Sequence, residues 1–480
     1  MQQNKQQPVR SFNPFTHAES FRPLTAHDDV DNAGTNLTTL SGESHKRFVM
    51  VTTLLSLIDP VRGEPTTHSL DRHAHDDLWK PEQLQKKFLD SFALIASTSR
   101  VGGETASAVC LEQGHPGGTV LRLASNQGVK GDTLEMLQEV LNALNSVASR
   151  GIMLKRSAGS VQHELMAKIT VLTKDKILSI LERLNRPATH EDIQNATVKL
   201  KSGNSISQYS EEFCTWVHGL PSVASSPPEV TSDVLISNIE WASQAKWVYP
   251  DEIEALLSSD EGELPLWLKH IYKLGRYYAA AKAMLKIAVK QPRIFDNIHV
   301  EAVPNPPQED FSLENGSRPL LTVLIQKAFG TEVWLTHDPE ARLRRACRMT
   351  LTVHAEMQLL SFYDHNPERT PRLLFMGTSK KACYLCYEFM SRQPLAIGVS
   401  ASHQKLYRGW TLAPLFFQRQ EKAQSSPMGI QPISGTNDGA RSRDSIGHTT
   451  TDPPVEDIPR PTSPSSSNGA WDMRSLTEYL

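Results

Sequence analysis

Cysteine is scarce: five residues in a chain of 480. That number cannot build a disulfide framework in a chain of this size, and it predicts a reducing compartment, cytoplasmic or nuclear. Charge of one sign is also missing. With 50 Lys+Arg against 53 Asp+Glu the formal net charge is -3, so no global field draws the chain to nucleic acid, and any such binding needs a local basic patch. Long hydrophobic runs are absent too. The most apolar early stretch, Phe48 to Ile58, holds 11 residues, too short to span a bilayer. Met1 is followed by Gln, Asn and Lys without an apolar run, which argues against a secretory leader and for an intracellular protein with no membrane partner. No repeat of 20–50 residues stands out.

What is present is a small constellation of metal-ligand residues. His354-Ala355-Glu356 precedes Ala382-Cys383-Tyr384-Leu385-Cys386, with residues 357–381 between them. H-x-E alone carries no weight, because His17-Ala18-Glu19 and His299-Val300-Glu301 also match, and both read as incidental. C-x-x-C is rarer in a chain with so few cysteines. Only the third H-x-E stands upstream of the cysteine pair at a distance suited to a shared site. One His and two Cys leave the fourth tetrahedral position of a zinc ion to water, the mark of a catalytic site. Glu356, beside His354, can then reach the metal-bound water. Two other readings stay open: a redox pair at Cys383 and Cys386, and a structural zinc with His365, His403 or Cys347 as fourth ligand.

The local pattern places these residues. Residues i and i+2 do not share a helix face, so His354 and Glu356 are expected at a helix entrance, with Thr352 as N-cap. Met357, Leu359, Leu360, Phe362 and Tyr363 continue that helix as a buried one. The run Arg372 to Gly377 reads as a strand and Thr378 to Lys381 as a turn. Cys383 and Cys386 then share the first turn of a second helix, where free N–H groups favour thiolates.

Upstream, Pro81 to Ser97 shows an apolar stripe at helical spacing through Leu84, Phe88, Leu89, Phe92 and Ile95. Glu104 to Glu112 and Gly118 to Ser125 read as a β-hairpin around the loop Gln113 to Gly117. The 130–345 region reads as mostly helical, strongest over Thr133 to Val147, Val161 to Leu184, Trp267 to Val289 and Leu320 to Phe329, with loops at Ser222 to Pro228 and Val303 to Gln308. Residues 1–45 and the Ser/Thr/Pro-rich stretch 424–468 are predicted to be disordered, and Trp471 to Leu480 a frayed terminus. Two basic stretches occur, Arg342 to Arg348 and Lys269 to Lys290; either could meet phosphates, but both read first as solvated helix faces.

The His-Ala-Glu and Cys-x-x-Cys pair, followed by Ser402-His403-Gln404-Lys405-Leu406-Tyr407, resembles the cytidine deaminase-like superfamily of zinc enzymes. More narrowly it is similar to a poorly characterised group of predicted fungal deaminases of nucleic acids or nucleotides. The similarity is specific over about 349–412 and extends to 82–128; Ala382 departs from it, since the usual residue there is proline. The resemblance implies a three-layer α/β/α fold with a mixed sheet, built from residues 82–128 and 349–415. The order of elements points to a helical insertion over 129–348; the alternative is a separate N-terminal domain with an unrelated hairpin. The resemblance also implies Zn2+ held by His354, Cys383 and Cys386, Glu356 as catalytic proton shuttle, and Asn126 as a substrate-binding residue. Backbone N–H groups near Ala355 and Cys383 are expected to steady developing charge. The implied activity is hydrolytic deamination of a cytosine- or adenine-type base in a nucleoside, nucleotide or nucleic acid. The alternative is a catalytically silent relative, with structural zinc, that serves as a scaffold for protein or RNA binding.

Overall fold

The computed structural model describes residues 42–72, 80–115, 117–150, 158–202, 210–224, 231–257, 264–313 and 339–412. The tail expectations (but for residues 42–45), His17 and the expected helix Leu320 to Phe329 lie outside these residues.

Alternation of side chains along two strands decides the layering. In β1 (Ser107–His115) and β2 (Gly118–Ser125), Val109, Leu111, Leu121 and Leu123 point into one core while Ala108, Cys110 and Ala124 point into another. A strand buried on both sides needs a helical layer on each face. The first layer is α2 (Pro81–Ala96), whose N1 proline and stripe of Phe88, Leu89, Phe92 and Ile95 match the sequence reading. The second is α12 (Ala355–His365), which packs on β1 and β2, with α13 (Tyr384–Arg392) beside β7 (Gly398–Val399).

The sheet has five strands in the order β3-β2-β1-β6-β7, with β3 at His299–Ala302 and β6 at Phe375–Thr378. β1 is antiparallel to β2, with Ser107 opposite Ser125 and Glu112 opposite Val120, and then bulges so that His115 meets Gly118. β1 is also antiparallel to β6, through Ala108–Thr378 and Val109–Gly377. β2–β3 and β6–β7 are parallel. The sheet is therefore mixed, and the hairpin near residue 110 belongs to the same domain as the cysteine-bearing segment.

Two glycines are fixed by close approach. Gly118 has φ +110, and a Cβ there would lie 2.4 Å from Asn297 O in the segment entering β3. At Gly377 a Cβ would lie 2.2 Å from the Leu89 carbonyl carbon, so α2 can rest on β6 only because that residue has no side chain.

Between β2 and α12 the chain forms a large helical insertion: α3 (Gly131–Arg150), α4 (Ala158–Leu172), α5 (Lys174–Leu184), α6 (Pro187–Ser202), α7 (Glu211–Ala224), α8 (Ser232–Trp247), α9 (Pro250–Leu257), α10 (Leu268–Lys290) and α11 (Pro339–Ala346). The 23-residue α10 packs on α2 and α8, and one continuous core joins the insertion to α2, β1 and β2. As expected from the sequence, the insertion is mostly but not wholly helical. It lends β3 to the main sheet. It also lends β4 (Glu309–Phe311) to a small second sheet, ordered β4-β5-β8, with β5 at Met349–Val353 and β8 at Trp410–Thr411. Strands this short leave no readable period. The expected loop at Ser222 begins inside α7.

Helix α1 (Gly42–Ile58) starts within the stretch expected to be a tail; Val49, Met50 and Leu54 are buried. No described helix is long and apolar enough to cross a membrane.

Candidate metal centre

Strand β5 delivers His354 to the start of α12 in extended conformation, φ -65 and ψ 150. His354 itself is the N-cap, and it makes no side-chain cap bond. Thr352, expected at that position, lies in β5. The missing cap comes from across the fold: Asn126 Oδ1 accepts the Ala355 N–H at 2.9 Å, while Asn126 Nδ2 donates to Gly103 O at 3.0 Å. Gln358 adds a second tie, its Nε2 donating to Ser125 O and Val353 O. The end of β2 thereby holds the entrance of α12 still.

On the other side, β6 ends in a turn that leads to Cys383, the N-cap of α13. Its Sγ accepts the Cys386 N–H at 3.4 Å, a backbone donor aimed at sulfur that favours thiolate. Ala382 is fully buried, and its N–H donates to Ala401 O at 2.9 Å. Proline, the usual residue there, has no N–H to give. The departure thus matches a hydrogen bond that anchors the 401–407 loop, which returns bonds from His403 N to Ala382 O and from Tyr384 N to Lys405 O.

These two helix starts bring three donors together. His354 Nδ1 lies 3.6 Å from Cys383 Sγ and 3.5 Å from Cys386 Sγ, and all three ligand atoms fall within 4.8 Å of one another. Zinc bonds of about 2.3 Å to sulfur and about 2.0–2.1 Å to nitrogen, opened at the tetrahedral angle, put N and S about 3.6 Å apart. The observed edges match, so the donor set fits zinc. His365, His403 and Cys347 do not join the cluster among the described residues. His365 Nδ1 instead meets Ser361 O, and His403 Nδ1 accepts the Lys405 N–H.

The electrostatics follow from crowding. Burial opposes charge on His354, but the neighbouring Cys383 and Glu356 outweigh it and raise its pKa. Burial works against a thiolate on either cysteine. Hydrogen bonds from Cys386 and the nearby His354 pull Cys383 well below its ordinary value, and Cys386, facing that charge, is pushed up. Burial also raises Glu356, which His354 offsets only in part. Glu356 Oε2 sits 3.9 Å from Cys386 Sγ, beside the donors and outside their set.

A cleft of about 360 Å³ opens over this centre, lined by Asn126, His354, Glu356, Lys380, Cys383, His403 and Tyr407, among others. The structure brings every site residue expected from the sequence to one place. Two details differ from expectation. The Ala355 N–H is bonded to Asn126, so it is not a free donor for developing charge. Asn126 in turn has both ends of its amide engaged within the protein.

Trp410 was not found from the sequence. Its buried indole N–H donates to Cys386 Sγ at 3.2 Å, and Phe48 of α1 packs on the indole with ring centroids 5.6 Å apart. No spacing rule links positions 386 and 410. Lys380 at the cleft was also missed, although the sequence placed it in the turn before Cys383.

Among known protein families, the one described as OTT_1508_deam-like deaminase matches residues 353–414, the segment that carries His354, Glu356, Cys383 and Cys386. No curated protein and no solved structure matches the chain. The chain is thus similar to a deaminase family over its metal-binding segment, within a mixed α/β fold of deaminase type that holds a His/Cys/Cys cluster able to bind a metal ion.

Proposed function

We propose that the protein is a zinc-dependent hydrolytic deaminase acting on a cytosine- or adenine-type base. The observation that carries this reading is the pairing of a three-donor tetrahedral set with a carboxyl group that lies beside it but is not part of it. A structural site consumes four protein ligands; this one, among the described residues, offers three and faces a cleft. Zinc bound by His354, Cys383 and Cys386 supplies Lewis-acid activation of water near neutral pH.

The chain's own residues do the rest. The base enters the cleft edge-on to Glu356. Glu356 accepts a proton from the attacking water, passes it to the ring nitrogen, and later delivers a proton to the departing amine; the C–N bond breaks, a carbonyl forms, and ammonia leaves. A carboxyl whose pKa is raised by burial suits a group that must both take and give a proton. Asn126 fixes the α12 entrance, and with it the position of Glu356, rather than offering a free amide to substrate.

The test is Glu356→Gln in zinc-loaded protein, assayed for ammonia release over a panel of bases, nucleosides, nucleotides and nucleic acids. The variant should retain its metal and lose about 10²–10⁴-fold in rate. A variant as fast as wild type overturns the mechanism. A wild type that turns over no member of the panel favours the scaffold reading.

A further inference from the structure

Around the loop that walls the cleft, cations gather without matching carboxylates. Lys380 reaches that loop: a Cβ at Gly102 would meet its Nζ at 3.2 Å, and Lys380, Val101 and Gly103 all line the cleft. Helix α5 docks against the same loop, with Lys176 Nζ donating to Ser97 Oγ and Ser179 Oγ donating to Arg100 O. Lys273 projects from α10 and is exposed, as is Lys380; Lys176 is half-buried. Among the described residues, none of the three has a carboxylate within ion-pair distance. By contrast, nearby cations outside this group are matched: Arg100 pairs with Glu182, and Lys246 and Arg276 with Asp71.

The crowding has a measurable effect on the lysines. Desolvation, with the charges of Lys380 and Lys273, holds Lys176 down to about 7. Desolvation with Lys273 and Arg183 lowers Lys380, although Glu356 pulls the other way, and Lys273 is lowered by desolvation and Arg183. A fold that sets like charges together, with only Glu356 acting against them and no ion pair among the described residues, is suited to an anion from outside.

We propose that Lys176, Lys273 and Lys380, with Arg183 beside them, form an anion site on the rim of the metal cleft that takes a phosphate group of the substrate. This deepens the deaminase reading and rests on it. The phosphate is either that of a mononucleotide or one in the backbone of a strand. Because the chain's net charge is -3, the attraction is local to this rim. The insertion then has a role in the chemistry: α5 and α10 supply two of the three lysines. On α10, at 100° per residue, Lys273 and Lys282/Lys286 lie on roughly opposite sides, so the latter pair provides a control.

The experiment measures binding without turnover. Full-length zinc-loaded Glu356→Gln protein is titrated into a fluorescein-labelled single-stranded oligonucleotide of mixed sequence, with cytidine, adenosine, their 5′-monophosphates and inorganic phosphate as competitors. Lys273→Gln/Lys380→Gln should weaken binding at least about tenfold and flatten the dependence of log Kd on log salt by roughly one per lysine removed. Lys282→Gln/Lys286→Gln should bind like the parent. Lys273→Gln alone, at an exposed position, guards against loss of fold, and zinc content with the melting temperature verifies each variant. Displacement by monophosphates but not nucleosides identifies a lone phosphate as the ligand; displacement by unlabelled strand alone identifies a backbone phosphate. A double variant that binds as tightly as its parent overturns the site, as do nucleosides that compete as well as nucleotides or a parent that binds no phosphate compound. If the site fails while wild type still releases ammonia from free bases or nucleosides, only the phosphate proposal falls. If lysine-dependent binding holds while no substrate is deaminated, only the deaminase reading falls.

Discussion

Cys386 and Trp410 show how one hydrogen bond tunes a ligand. The indole N–H donates to a sulfur already facing a charged neighbour, Cys383, and so favours the thiolate of Cys386, the form in which the proposed ligand would bind zinc. Trp410→Phe keeps the ring against Phe48 and removes only the donor. It should lower zinc affinity by about 10–100-fold, the usual scale for such supporting partners, with little change in melting temperature of the metal-loaded protein. Competition with a chromophoric chelator measures this, and equal affinities in the two proteins would remove Trp410 from the account. At the same scale, the His354, Cys383 and Cys386 cluster able to bind a metal ion, with Glu356 beside it, was legible in the sequence because residue types at short spacing mark such a cluster. Trp410, Lys380 and the Asn126–Ala355 bond were not, because each joins segments far apart in the chain.

Elements are held by contacts of two kinds, steric and ionic. The steric one is α2 on β6 at Gly377, where a methyl group would collide with backbone that cannot rotate away. Gly377→Ala should destabilise by about 3 kcal/mol or more, at or beyond the upper end of overpacking costs, read as a fall in urea midpoint. An unchanged midpoint would show that α2 can slide. The ionic one ties Asp71 to α8 and α10 through Lys246 and Arg276. Burial raises the Asp71 carboxyl, but Arg276 and Lys246 outweigh that and hold it down to about 2, below its ordinary 3.8. A depressed carboxyl contributes stability above its unfolded pKa and loses it as pH falls through the folded value. Asp71→Asn should therefore cost about 2 kcal/mol at pH 7. That gap to wild type should shrink between about pH 4 and pH 2 and close below it. A gap that does not change with pH would mean the carboxylate charge contributes nothing.

For the molecule as a whole, the question is where the folded unit begins. Composition argues that the outer residues cannot bury enough apolar surface to offset ordering at roughly 1–2 kcal/mol per residue. Helix α1 changes the boundary expected from that argument. His45 Nε2 contacts Thr411 Oγ1 at 3.3 Å, and Phe48 covers Trp410. A chain covering 42–423 should melt within a few degrees of full length, whereas one starting at 46 loses the first turn of α1 and should melt lower. Equal melting of both truncations would show that residues 42–45 add no stability. Residues 59–66 also strap the 402–406 loop, through Arg62 N to Gln404 O, Thr66 N to Ser402 O and Leu406 N to Pro60 O, so this segment reaches the same loop that braces Cys383.

Local pattern in the sequence determined the donor set, the carboxyl beside it, the apolar stripe of α2 and the β1–β2 hairpin, since periodicity and residue chemistry act over a few positions. It also indicated that the hairpin and the cysteine-bearing strand share a sheet, through the order of elements. Tertiary structure alone decided that the insertion shares the core and adds β3 to the sheet edge. It alone placed Asn126, just after β2, at the cap of α12, and explained Ala382 by a bond proline cannot make. The same is true of Lys380, which lines the cleft, and of Lys176 of α5, bonded to Ser97 at the end of α2. Each of these depends on pairing between positions separated by tens to hundreds of residues, and a long-range contact leaves no period in the chain that forms it.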